Sequence, residues 1–501
     1  METFPSMDTI NPQDESFLAR VPIEMLLRIT RWIRTEDLAN VRLSCKLLER
    51  NLFNFFAHEF FRKRQFMVSS QSLQALVDIS KHSTLAPFLK HVIICTDRPG
   101  NRNIYQPQPV PEKLRIYRRL VAEQENLLTM GIMRDMLAEA FAALPHLEIV
   151  DLRDFNSPSR HRDNGVWRSY GSKTLEESLG EGMQTAAVSG YMSFPTQIFT
   201  AIIAALGASG AQPKNIETLI RNRNWGLRDS AFAIPPRLDP KLGPILANLE
   251  TLHLCFDFEP GCFMIQGFLT MARNVRWLRL NFNSTPMNST LHSAQEPTPA
   301  LFNWLAHPES DNSIDDFDKN PVSFPNLERF DIGNATMTAS AIVKVVAKFS
   351  PTLEHLSLRR VSVCDSPRDV EDKTNPWLAV FNKINKIRGI HLRVLELSDL
   401  HHGDGRFSRW DCPISFKADQ EGVPKTRGAV LSWMGTTDRV SLGAMIKSVN
   451  ENMICSWPDR RTYDSEMELE NDMDEDEEED MDEDEQEDMD EEEEVDTDEP
   501  L

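Results

Sequence analysis

A short apolar triplet, with apolar residues at its first, fourth and sixth positions, recurs along most of the chain. It reads Leu89, Val92, Ile94; Leu147, Val150, Leu152; Leu249, Leu252, Leu254; Val275, Leu278, Leu280; Leu327, Phe330, Ile332; Leu353, Leu356, Leu358; and Leu392, Leu395, Leu397, with a weaker copy at Ile216 and Leu219. Apolar residues two apart mark a strand with one buried face. Copies begin 26 residues apart at 249 and 275 and again at 327 and 353, while the step is 52 from 275 to 327 and 39 from 353 to 392. Helical stripes lie between them: Leu73, Leu76, Val77; Phe199, Ile202, Ile203, Leu206; Ile265, Phe268, Leu269, Ala272; and Ile342, Val345, Val346, Phe349. A strand-plus-helix unit leaves its apolar face uncovered until a neighbouring copy stacks on it. The expected class is therefore α/β, with repeats stacked side by side.

Residues 17–50, FLARVPIEMLLRITRWIRTEDLANVRLSCKLLER, precede the repeats and follow a different rule. Pro22 fits the first position of a helix, where a missing N–H costs nothing. Leu26, Ile29 and Ile33 then share one face. Thr35 reads as the N-cap of a second helix, with Glu36 and Asp37 at its positive end. That helix is expected to carry Leu38, Val41, Cys45 and Leu48, and a third to carry Leu52, Phe55, Phe56 and Phe60. The basic run Arg62-Lys63-Arg64 reads as a solvated helix end. A hairpin this small has more apolar side chains than it can bury alone.

The order V-P-x-E-x-L-L-x-x-I, D-L and V-R-x-x-C-K-L-L within this stretch resembles the F-box. Val21 stands where that family more often has leucine before the proline. The repeats resemble the irregular leucine-rich repeats that follow many F-boxes. They lack a regular asparagine three residues after the third apolar position, where Asp257, Ala335 and Val361 stand in three copies. The resemblance implies a helical docking module followed by an irregular leucine-rich-repeat solenoid. It implies a substrate-recognition subunit of a Skp–cullin–F-box ubiquitin ligase, with no catalytic residues of its own. Its partners would be a Skp-type adaptor, through it a cullin, and a protein substrate. The adaptor-binding surface and the module's small core would share Val21, Pro22, Ile23, Leu26, Ile29, Ile33, Leu38, Val41, Cys45 and Leu48. Two alternatives stay open: an adaptor-binding scaffold outside any ligase, and a protein that binds basic partners through an acidic tail.

The tail follows from charge bookkeeping. Residues 464–501 contain 26 Asp and Glu and no Lys or Arg, so residues 1–463 hold 77 − 26 = 51 acids against 54 basic residues. The net charge of −23 thus belongs to a segment expected to be disordered by its own repulsion. Expected boundaries are a disordered 1–16, a helical module at 17–64, repeats at 65–400, a cap at 401–463 and the tail at 464–501. Leu442, Met445, Ile446 and Val449 mark a helix in the cap. Long loops are expected at 155–174 and 283–299. The first carries Arg160, Arg162, Trp167, Arg168 and Tyr170, a composition used both for partner binding and for covering a solenoid's side. Ser465, flanked by acids, fits an acid-directed kinase only loosely.

Seven cysteines without a C-x-x-C pair read as reduced thiols. Cys255 and Cys262 fall in apolar surroundings and read as small hydrophobes. The polar N-terminus resembles no secretory signal, and the longest apolar run, near 198–206, is too short for a membrane span. The expected setting is cytoplasmic and/or nuclear, without membrane. No phosphate-binding, zinc-protease or nucleophile-elbow motif occurs. His401 and His402, with Asp404, read as a polar surface turn, because adjacent side chains on an extended chain diverge. No cofactor, metal or nucleic acid is expected.

Overall fold

The computed structural model describes residues 17–99, 111–157, 168–179, 184–185, 193–222, 225–256, 264–283, 297–307, 322–364, 374–403, 412–417 and 430–456. The N-terminal sixteen residues, the acidic tail with Ser465, and most of the 283–299 loop lie outside these. The chain is mixed α/β, built on one large, mainly parallel, open sheet. Its ten strands lie in sequence order: β1 (Lys63–Met67), β2 (His91–Cys95), β3 (Ile149–Arg153), β4 (Asn215–Leu219), β5 (Thr251–Phe256), β6 (Trp277–Phe282), β7 (Arg329–Gly333), β8 (His355–Arg359), β9 (Val394–Ser398) and β10 (Ser432–Thr436). β1 to β9 pair in parallel; β10 runs antiparallel to β9 and ends the sheet.

The triplets explain this register. Pairing sets Val92, Val150, Ile216, Leu252, Leu278, Phe330, Leu356 and Leu395 side by side, with Ile94, Leu152, Leu280, Ile332, Leu358 and Leu397 in the next row on the same face. All are buried. A slip of one residue would send both rows to the other face, so burial locks the pairing.

The helices cover that apolar face: α4 (Ser70–Lys81), α5 (Pro111–Thr129), α6 (Ile132–Ala143), α8 (Phe194–Ser209), α9 (Asp239–Ala247), α10 (Met264–Met271), α11 (Pro297–Leu305), α12 (Ala339–Phe349), α13 (Pro376–Ile384) and α14 (Leu442–Asn452), while α7 (Ser172–Leu179) packs on α5. The predicted stripes in α4, α8, α10 and α12 are buried in one continuous core with the strand rows. Ser69, Ser193, Thr338, Asn375 and Ser441 cap α4, α8, α12, α13 and α14 by accepting a backbone N–H. α14 buries Met445, Ile446 and Val449 and packs on α13.

After β7, β8 and β9 the chain turns through Asn334, Arg360 and Asp399, at φ 52°, 52° and 56°. Asn and Asp tolerate this left-handed conformation, whereas Arg360 is strained by roughly 1 kcal/mol. Each turn leads into a short strand, Thr336–Met337, Ser362–Cys364 and Leu400–Gly403, and these form a second sheet with Pro413–Phe416 and Met453–Cys455.

The N-terminal module is helical: α1 (Ile23–Thr30), α2 (Thr35–Ser44) and α3 (Lys46–Phe61). Pro22 is the N-cap of α1 and not its first residue, and Arg34, not Thr35, precedes α2, without a side-chain cap. The expected second helix is two, because Cys45 is extended (φ −159°, ψ 155°) and Leu48 falls on α3. A break that nearly preserves helical phase leaves the apolar spacing looking continuous. Of the basic run only Arg62 is a solvated helix end, the C-cap of α3; Lys63 and Arg64 open β1 directly after it. Lys63 donates to Ser157, and the Arg64 guanidinium lies 5.5 Å from the Phe61 ring.

Candidate functional site

The module separates core from surface where spacing alone left them merged. Leu26, Leu38, Leu48, Leu52 and Phe60 form a core distinct from that of the sheet. Val21, Ile33, Val41 and Cys45 are half-buried against it. Pro22, Ile23 and Ile29 are exposed. They are joined by three apolar side chains that the helical spacing passed over: Met25 is 50%, Leu43 81% and Trp32 90% exposed. Met25 and Ile29, four apart, share a face of α1. Periodicity picks residues in phase with the core, so an apolar residue out of phase carries no such signal. Arg42 stacks on Phe56, 3.5 Å from the ring centroid, and burial lowers its pKa against the opposing pull of Glu49.

Of the candidate partner loop, Arg160, Arg162 and Trp167 lie outside the described residues. Arg168 pairs with Glu176 at 3.0 Å. Tyr170 donates its N–H to Gln65 O at 2.9 Å and bridges Phe66, which covers the outer edge of β1. The Tyr170 backbone thus serves the fold, while the side chains of Arg168 and Tyr170 stay exposed.

The face of the sheet away from the helices is polar. At its centre, pairing lines up Asp151, Glu217, His253, Arg279 and Asp331 across β3 to β7. Asp151 is met by His91 at 3.1 Å and by Arg153 at 2.5 Å. Asp331 accepts from Arg279, Arg329 and Trp277 Nε1 at 2.8, 2.8 and 3.0 Å. Burial would raise the Asp331 pKa, but the Arg329 and Arg279 hydrogen bonds outweigh it and hold it below the usual range. Glu217 is pushed up to about 7 by burial and then by Asp151. His253, 4% exposed, packs edge-on against Trp277 at 4.5 Å, and burial, then Arg279, hold its pKa down to about 3. Among the described residues neither His253 nitrogen has a hydrogen-bond partner, so no described hydroxyl or thiol is poised against it as a nucleophile would be.

At the strand ends Asn283 donates to the carbonyls of Ile220, Asn222 and Trp225, while Asn334 donates to Asn281. Asn283 stands three residues after Leu280, so one repeat does carry the asparagine whose regular recurrence the sequence lacks. At the strand starts, the residue before each strand builds a run of ion pairs: Lys90–Glu148, Lys214–Glu250, Arg276–Glu328 and Arg393–Glu354.

His401 and His402 are buried in Leu400–Gly403 and do not form a surface turn. The second sheet shields them, and its short strands give little sequence signal. His401 faces Asp399 at 3.2 Å, and His402 Nε2 faces Ser456 O at 2.9 Å and Cys455 Sγ at 3.1 Å. A nitrogen facing a carbonyl carries the proton, so His402 is no base toward Cys455. Cys255 is buried in β5 against Ile220 and Trp225 but also accepts from Asn281 Nδ2 at 3.3 Å, so it is not purely a small hydrophobe; Cys262 lies outside the described residues. Among the described residues no three His, Cys, Asp or Glu side chains are grouped to hold a metal ion, and no helix is long and apolar enough to cross a membrane.

No known family model matches this chain, and no curated protein sequence matches it.

Proposed function

We propose that this chain is a non-catalytic substrate-recognition subunit of a Skp–cullin–F-box ubiquitin ligase. In this reading α1–α3 are the F-box, docking onto a Skp-type adaptor, and the stacked strand–helix units are irregular leucine-rich repeats that hold a protein substrate. The adaptor brings a cullin, and the chain works in the cytoplasm and/or nucleus by making transfer to a substrate lysine effectively intramolecular. One observation carries it: a helical module with a core of its own leaves Ile23, Met25, Ile29, Leu43 and Trp32 uncovered. Exposed apolar side chains concentrated on one small module support a docking role for it. The V-P-x-E-x-L-L order of the same helices resembles the F-box.

The test is capture of the full chain by purified adaptor, comparing wild type with Ile29→Asp/Trp32→Ala. Binding lost in the variant, with an unchanged circular dichroism spectrum, supports docking through the exposed side chains. Equal binding by both, or by neither, overturns the proposal. Cullin co-purifying from cells with wild type only separates a ligase subunit from a scaffold.

A further inference from the structure

Most cations at the strand starts face a carboxylate on the next strand, but the closing end of the molecule is different. Residues 376–393 hold four basic side chains, Lys383, Lys386, Arg388 and Arg393, and no Asp or Glu. Lys383, Lys386 and Arg388 extend from the C-terminal end of α13, and Arg439 stands two residues before Ser441, the cap of α14. Lys383, Lys386, Arg388 and Arg439 are exposed, and none of these four forms an ion pair among the described residues, whereas Arg393 pairs with Glu354 and Asp438. They belong to one surface, because Asn450 Nδ2 donates to Asn382 Oδ1 at 3.0 Å and Thr437 N to Arg393 O at 2.8 Å.

The described chain ends at the opposite end of α13 from these cations, where Asn375 donates to Met453 Sδ and His402 faces Ser456 O. α14 runs about 16 Å at 1.5 Å per residue, and Met453–Cys455 follows it directly to Ser456. Seven residues, 457–463, then span up to about 25 Å before the acidic segment begins. The 26 carboxylates of residues 464–501 are therefore tethered within reach of four uncompensated cations. A short tether sets an effective concentration on the order of millimolar, far above that of a free acidic ligand. A second basic run, Arg115, Arg118 and Arg119 on α5, lies early in the chain and without this tether.

We propose that segment 464–501 folds back, within the same molecule, onto the basic surface formed by α13, the turn after it and the start of α14. The tail then occupies the surface an acidic protein partner would use, and such a partner binds only by displacing it.

The experiment is carbodiimide coupling of the full chain, which joins carboxylates to lysines in direct contact, followed by peptide mass spectrometry. At low salt the tail is expected to link to Lys383 and Lys386, and the links to disappear at about 0.5 M salt, where screening shortens the reach of exposed charges to a few ångströms. Links to Lys113 on α5 instead, links only between isotopically distinct molecules, or no tail links at all would each overturn the proposal. Small-angle X-ray scattering of Lys383→Gln/Lys386→Gln/Arg388→Gln supplies a second reading. Its maximum dimension at low salt should grow by roughly 30 Å, the reach of an unanchored 45-residue chain, while Arg115→Gln/Arg118→Gln/Arg119→Gln stays at the wild-type value. Expansion in the α5 variant, or none in the α13 variant, contradicts it.

Discussion

The helical module and the sheet answer the same physical requirement differently. The sheet meets most of it internally: its apolar rows are covered by helices, and its polar face ties Asp151, Asp331 and Glu396 to neighbouring cations or histidines, with the His253 nitrogens the buried exception. The module closes a core of five buried side chains and leaves Met25, Leu43 and Trp32 to solvent. A region that balances its own groups is built to persist alone. A region that leaves apolar surface uncovered gains free energy only when something else covers it.

The sharpest way to break this contrast is to open each core. Leu38→Ala removes a fully buried side chain from a core with few others, and each such truncation costs about 2–5 kcal/mol. We expect hydrogen exchange to show α1–α3 unprotected while β2 to β9 keep their protection; loss of protection throughout would mean the two cores are one. Next comes the surface. Under the proposed function, Ile29→Asp/Trp32→Ala is expected to weaken adaptor binding by about 2–4 kcal/mol, in the range of interface anchors, with an unchanged melting temperature. A lowered melting temperature would return those side chains to the core.

Asn283→Ala tests self-sufficiency at the strand ends. It removes a donor from three carbonyls, of which Asn222 O keeps the Trp225 N–H, and about 1–3 kcal/mol of stability should be lost in urea unfolding. Glu217 and His253 give opposite pH slopes. A carboxyl held at about 7 in the fold binds protons that the unfolded chain releases above about 4.5, so its contribution falls as pH rises between those values. An imidazole held at about 3 does the reverse, contributing fully above about 6.5 and losing stability as pH falls toward 3. Glu217→Gln should therefore stabilise the fold at pH 8, by about 1–3 kcal/mol, and steepen the loss of stability on acidification from pH 6.5 to 4.5. A pH profile identical to wild type would show Glu217 to be solvated. The smallest effect belongs to the strand-start ion pairs: Lys214→Ala should leave the melting midpoint unmoved, since exposed pairs contribute little.

How much of this was legible in the sequence differs between the same two regions. In the repeats, strand and helix positions were readable because two-residue and helical periods each name a buried face, and Leu278 and Ile342 sit where those periods put them. In the module the period found Leu26, Leu38 and Leu48 but said nothing of Trp32, whose exposure depends on what surrounds it in space. Lys63 and Arg64 were misassigned because a strand that begins with two cations has no apolar start. His401 and His402 were misassigned because their cover comes from a strand fifty residues later, Met453–Cys455. Asn283 shows the converse: its offset from Leu280 was visible, but its hydrogen bonds reach back to residues 220–225.

The join at Arg62 has a mechanical consequence. With one residue between α3 and β1, and Phe53 packed edge-on against Phe88 at 6.2 Å, the module has no slack relative to the first strand. Ten strands spaced at ~4.8 Å make an arm about 43 Å long. At that length a joint loose by about 20° would sweep the last strand through roughly 15 Å, several strand widths. The direct join makes the sheet a lever of set angle, so that a grip on α1–α3 also fixes where β9 and β10 stand.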